Sequence, residues 1–116
     1  MGNVFGPTNY DLEEKVIQGD LVGVQQALRD GASLEYKNHY GWTALHFASY
    51  KANLDITKLL LDKGANLDAM NNDKNLPVDI CGYDCRDKEQ IKKTLAIFRE
   101  TASRREMERF RSNHSN

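Results

Sequence analysis

Apolar side chains in the middle of the chain, residues 40–73, fall into two short helical runs. In the first, Leu45 and Ala48 recur at helical spacing, and Thr43 stands where an N-cap belongs. In the second, Ile56, Leu59, Leu60 and Leu61 form a stripe. Lys63-Gly64 closes that run, because glycine enters the left-handed region at little cost. Lys51-Ala52-Asn53 separates the two runs, so the pattern predicts a helical hairpin. A hairpin this short cannot bury its own apolar face and needs a neighbour of like shape on each side.

Those neighbours are visible as offsets. Gly31-Ala32-Ser33 repeats as Gly64-Ala65-Asn66 after 33 residues. The same shift lays Leu12 on Leu45, Leu21 on Leu54, Leu28 on Leu61, and Asn38 on Asn71. Asp20 and Asn53 are then matching N-caps of the second helices. The upstream unit is degenerate: Glu13 falls on His46, and Glu14, Gln18, Gln25 and Gln26 suit the solvated face of an end unit. Downstream, the seven residues from Asn75 to Cys81 lie on the seven from Trp42 to Ala48. Pro77 suits a first helical turn, and Asp79 can accept from turn N–H groups. The register then slips by about two residues in the 83–88 loop, since Ile91 and Leu95 match Ile56 and Leu60 at 35. From Lys88 one long helix is expected, with Ile91, Leu95, Phe98 and Ala102 as its inner stripe and a frayed end over 112–116.

Gly41-x-Thr43-Ala44-Leu45-His46-x-Ala48, followed by Leu60-Leu61-x-x-Gly64-Ala65-Asn66, resembles the ankyrin repeat, whose core reads G-x-T-P-L-H-x-A and then L-L-x-x-G-A-D/N. The family's period is the same 33 residues. Ala44 departs from the family's proline, which returns at Pro77; Leu76 and Asp79 replace Thr and His in the third unit. The resemblance implies an all-α ankyrin-repeat solenoid: stacked helix-turn-helix units, hairpin loops and a long C-terminal helix. The expected layout is a lead-in over 1–10, a repeat domain over 11–96 (units 11–38, 39–71 and 72–96), and a helical extension over 97–116. It also implies that Gly41, Thr43, Leu45, His46, Ala48, Leu60 and Gly64 are structural, with Thr43 and His46 bonded to each other.

The function implied by that resemblance is binding of another protein, as an adaptor, scaffold or regulatory subunit rather than an enzyme. In the family, hairpin tips and the exposed side of the first helices make the contacts. Carried over by register, the tip residues are Tyr36, His39, Tyr40 and Trp42. The helix positions are Phe47, Tyr50 and Lys51, with Glu14, Ile17 and Gln18 before them and Ile80, Tyr83 and Asp84 after. Tyr40, Trp42, Phe47, Tyr50, Ile80 and Tyr83 are expected to form one aromatic-aliphatic strip of the kind enriched at interfaces.

Composition changes this picture little. Apolar content of 40% and charged content of 28% over 116 residues are those of an ordinary folded domain. The net charge of −1 gives no general pull toward nucleic acid, but it is unevenly spread: −4 over residues 1–73 and +3 over 74–116. The excess of arginine lies at Arg104, Arg105, Arg109 and Arg111, interleaved with Glu106 and Glu108. An acidic partner or nucleic acid on that helix is the weaker alternative to a solvated, ion-paired face.

No nucleophile elbow, zinc-protease helix or phosphate-cradling glycine loop is present, so no catalytic residue, cofactor or small-molecule substrate is expected. Cys81-x-x-x-Cys85 lacks the further ligands of a zinc site; free thiols in a reducing compartment are expected, with Cys85 the more open to oxidation. Gly2 opens a partial match to an N-myristoylation signal, which makes a membrane-peripheral adaptor a second reading. No secretory leader is read over residues 1–7 and no apolar run approaches the roughly 20 residues of a membrane span. The expected location is the cytoplasm, with the nucleus or a membrane surface as alternatives, as a monomer or a subunit of a hetero-complex.

Overall fold

The computed structural model describes residues 8–114; the candidate acylation site Gly2 lies outside them. Five α-helices and one 3₁₀ turn succeed one another in order: α1 (Thr8–Gln18), α2 (Leu21–Arg29), α3 (Ala44–Tyr50), α4 (Leu54–Asp62), the turn (Pro77–Ile80) and α5 (Lys88–His114). There is no strand among the described residues. Helix α1 opens at Thr8, so Thr8, Asn9 and Tyr10 are helical rather than part of a lead-in.

The caps expected from sequence form. The Asp20 carboxylate accepts from the Gly23 N–H at 2.9 Å, and the Asn53 amide oxygen accepts from Ile56 N–H at 3.0 Å. Gly64 closes α4 with φ of 96°. Helices α1 and α2 form one hairpin, α3 and α4 the next; α1 stacks on α3, α2 on α4, and α3 on the 3₁₀ turn. The core runs through the stack as Leu12, Val16, Val24, Ala27, Leu45, Ala48, Ile56, Leu60 and Leu61, and Phe98 of α5 closes it. Residues one period apart thus do the same job, Leu12 and Leu45 being 2% and 1% exposed.

The third unit differs from its sequence reading. Its first helix is reduced to a single 3₁₀ turn, while α5 is the one long helix expected from Lys88. The inner face of α5 is also rotated. Thr94, Phe98, Thr101 and half-buried Arg105 face inward, while Ala102 is exposed and Ile91 and Leu95 are half-buried. Polar contacts from α5 to the hairpin before it accompany the rotation. Arg105 donates to the carbonyls of Leu61 and Ala65 at 2.9 and 2.7 Å, and the Thr94 hydroxyl, which donates to the Gln90 carbonyl of its own helix at 2.8 Å, also lies 3.3 Å from the Ala52 carbonyl. Helix α5 therefore caps α4 with polar groups where a further repeat would have packed apolar ones.

Candidate functional site

Two hairpins, built alike, position the first-helix face. Asn38 Oδ1 accepts from the N–H groups of Tyr40 and Trp42, and Asn38 N–H donates to the Trp42 carbonyl. One period later Asn71 Oδ1 accepts from Asp73 and Asn75, and Asn71 N–H donates to the Asn75 carbonyl. Both asparagines thus close local turns of the type their short amide favours. The tips are laced together: Asn72 N–H donates to the Tyr40 carbonyl, Asn72 Nδ2 to the His39 carbonyl, and Lys37 Nζ to the Met70 carbonyl.

Thr43 and His46 lock the base of this face. Thr43 N–H donates to His46 Nδ1 at 3.1 Å, and the Thr43 hydroxyl lies 2.9 Å from the same nitrogen. Nδ1 is then an acceptor, so Nε2 carries the hydrogen and donates to the Asn75 carbonyl at 2.9 Å. His46 is fully buried. Burial pushes its pKa below the ordinary histidine value; the Asn75 bond opposes this, Lys37 adds to it, and Asp79 opposes it. A neutral imidazole bonded at both nitrogens is a structural strut, as the family resemblance implied.

Above this base lies an open groove of about 600 Å³, lined by Glu13, Ile17, Asn38, Tyr40, Trp42, Phe47, Tyr50, Lys51 and Asp73. Trp42 is its centre, with ring centroids 4.9 Å from Phe47 and 5.3 Å from Tyr50. Tyr50 leads on to Tyr83 at 6.5 Å. Tyr40 and Tyr83 are each 71% exposed.

Six of the contact positions read from sequence therefore line one groove: Ile17, Tyr40, Trp42, Phe47, Tyr50 and Lys51. Tyr83 extends it. Tyr36 instead borders a small crevice beside Asn9 and Ser33, and exposed His39 is engaged through its carbonyl. Ile80 is corrected outright: it is 3% exposed and belongs to the core. In a 3₁₀ turn, residues i and i+3 share a face, so Ile80 follows buried Pro77 inward. Lys51 is not a free cation, since its ammonium lies 2.6 Å from the Asp84 carboxylate.

Glu13, Asn38 and Asp73 were not singled out, though one signal was available: Asp73 stands one period beyond Tyr40 at the next hairpin tip. Cys81 and Cys85 are free and half-buried, and burial raises the Cys81 pKa. Among the described residues no group of three His, Cys, Asp or Glu is placed to hold a metal. None of the described helices is long and apolar enough to cross a membrane.

Comparison with known proteins agrees with this architecture. Residues 40–72 match the ankyrin repeat family model. Protein phosphatase 1 regulatory subunit 27 of Mus musculus is 35% identical over 86 residues, which is 74% of this chain and 56% of that protein. The Homo sapiens protein of the same name is 36% identical over 76 residues, 66% of this chain and 49% of the relative. The chain thus spans about half the length of these relatives. Among solved structures, the ankyrin repeat domain of Bcl-3, described as a unique member of the IkappaB protein family, superposes with a TM-score of 0.65 at 26% identity, over 76% of this chain and 35% of that one. The repeated hairpins, the Thr43–His46 strut and these likenesses show that the chain has an ankyrin-repeat fold, with an ankyrin repeat at residues 40–72.

Proposed function

We propose that this chain is a non-catalytic interaction module that seats a segment of a partner protein in the aromatic groove. One observation carries the reading. Tyr40 and Tyr83 stand largely exposed in continuity with half-buried Trp42, Phe47 and Tyr50, on the face not used for stacking. Contiguous exposed aromatic surface of this kind is characteristic of binding sites, where Trp and Tyr supply much of the affinity. Ankyrin repeats mediate protein–protein contacts, and two relatives are named as regulatory subunits of protein phosphatase 1. A regulatory role on a partner enzyme is the finer form of the proposal, with the phosphatase catalytic subunit as the first partner to try.

Affinity capture with the intact chain, beside a Tyr50→Ala/Tyr83→Ala variant whose folding is checked by circular dichroism, tests the reading. Partner binding is expected to be lost from the folded variant. Equal capture by both proteins would place the binding surface elsewhere.

A further inference from the structure

We infer that the groove selects a cationic segment: a stretch of polypeptide in which arginine or lysine flanks an aromatic or aliphatic anchor. This rests on the proposed function and names the chemistry of its partner. The floor of the groove is apolar, made by Ile17, Trp42, Phe47 and Tyr50. Its charged walls are unbalanced. Glu13 on α1 and Asp73 at the third unit's hairpin tip both line it, and neither has an ion-pair partner among the described residues. The cation on the wall, Lys51, is neutralised by Asp84. Two neighbouring lysines are engaged elsewhere, Lys37 with the Met70 carbonyl and Lys15 near the Asp20 carboxylate.

A guanidinium or ammonium entering the groove would meet two uncommitted carboxylates and the aromatic rings of Tyr40, Trp42 and Tyr50, groups suited to ion pairing and cation–π attraction. A carboxylate entering the same space would meet like charge. The surroundings act in the same direction. All the lining residues fall within the part of the chain that carries a net −4, so the wider field draws a basic segment toward the groove.

Random peptides displayed on phage, selected on the immobilised full chain and then measured as synthetic peptides by fluorescence anisotropy, test the inference. Selected peptides are expected to carry Arg or Lys beside an apolar anchor and to bind more weakly as salt is added. Glu13→Gln/Asp73→Asn should weaken them about tenfold. Asp73→Lys, at an exposed site, should shift selection toward acidic flanks. Neutral or acidic winners whose binding is lost in Tyr40→Ala/Tyr50→Ala would overturn the charge preference and leave the groove as the binding site. Winners indifferent to Tyr40→Ala/Tyr50→Ala, or no winners at all, would overturn both.

Discussion

The second and third units occupy matching stretches of sequence and use them differently. In the second, Thr43 caps a seven-residue α-helix, and His46 reaches across to the Asn75 carbonyl of the next hairpin. In the third, Leu76 and Asp79 stand at those places. Asp79 Oδ2 accepts from Leu76 N–H at 2.8 Å, which closes one turn, but a carboxylate this short has no reach to a further unit. The helix is reduced to a four-residue 3₁₀ turn. Beyond that turn the chain folds back: the N–H groups of Gly82 and Asp84 donate to the last carbonyls of α3, those of Ser49 and Tyr50. The difference teaches what the Thr–His pair does. In the second unit it ties the helix to the next hairpin; in the third, which lacks it, the chain turns to capping the helices it has already made.

Backbone strain draws the same contrast. Gly41 turns the second unit's hairpin with φ of 77°, and one period later Lys74 does so with φ of 64°. A Cβ at Gly41 would lie 2.6 Å from Asn72 Oδ1 and 2.8 Å from Asn72 N, so that position requires glycine for space as well as conformation.

Breaking the second unit's core should have the largest effect. Leu45→Ala is expected to cost about 2–5 kcal/mol in urea denaturation, enough to unfold a domain of so few repeats. Releasing the third unit's substitute cap comes next: Arg105→Ala should cost about 1.5–3 kcal/mol, with faster amide exchange along the C-terminal half of α5 but not in α1. Thr43→Ala should cost about 1–2 kcal/mol by removing the cap.

The His46 strut also predicts acid sensitivity. The unfolded chain takes up a proton near the ordinary value of about 6.5, whereas the folded chain holds His46 neutral to lower pH. This contribution is complete above about pH 6.5 and is lost as pH falls from there toward the folded value. His46→Gln should flatten that part of the melting-temperature profile; an unchanged slope would exclude the strut as its source.

The smallest effects should be gains. Thr57 Oγ1 is buried without a hydrogen-bond partner among the described residues, where the first unit has Val24. Thr57→Val should stabilise by about 1 kcal/mol. Lys74→Gly should gain about 1 kcal/mol in the same melt by removing the left-handed strain, while the reverse change at Gly41 destabilises.

Much of the fold was legible because its determinants are local or strictly periodic. Asp20, Thr43 and Asn53 cap helices through N–H groups three residues away, and Asn38 and Asn71 close turns within four residues. The groove was legible in part through the family resemblance, which implied that Phe47, Tyr50 and Lys51 share the exposed side of the first helix. Ile80 failed because the register assumed an α-helix, and the change from 3.6 to 3.0 residues per turn rotates its side chain into the core. Asp73 was missed because apolar patterning does not register a carboxylate on a hairpin tip.

The sequence by itself determined the repeat, its period, the hairpin turns and the helix starts at Asp20, Thr43 and Asn53, since each depends on partners a few residues away or on an exact offset, while the Thr43–His46 strut was implied by the family resemblance. Tertiary structure decided which side of α5 faces inward, how the third unit ends, and which charges line the groove. Those outcomes depend on carbonyls and carboxylates contributed from far along the chain: the Leu61 and Ala65 oxygens that bind Arg105, and Asp84, which neutralises Lys51 and leaves Glu13 and Asp73 unpaired. Apolar periodicity records none of these partners, because the burial of a helix face is set by what it must satisfy as well as by what it must hide.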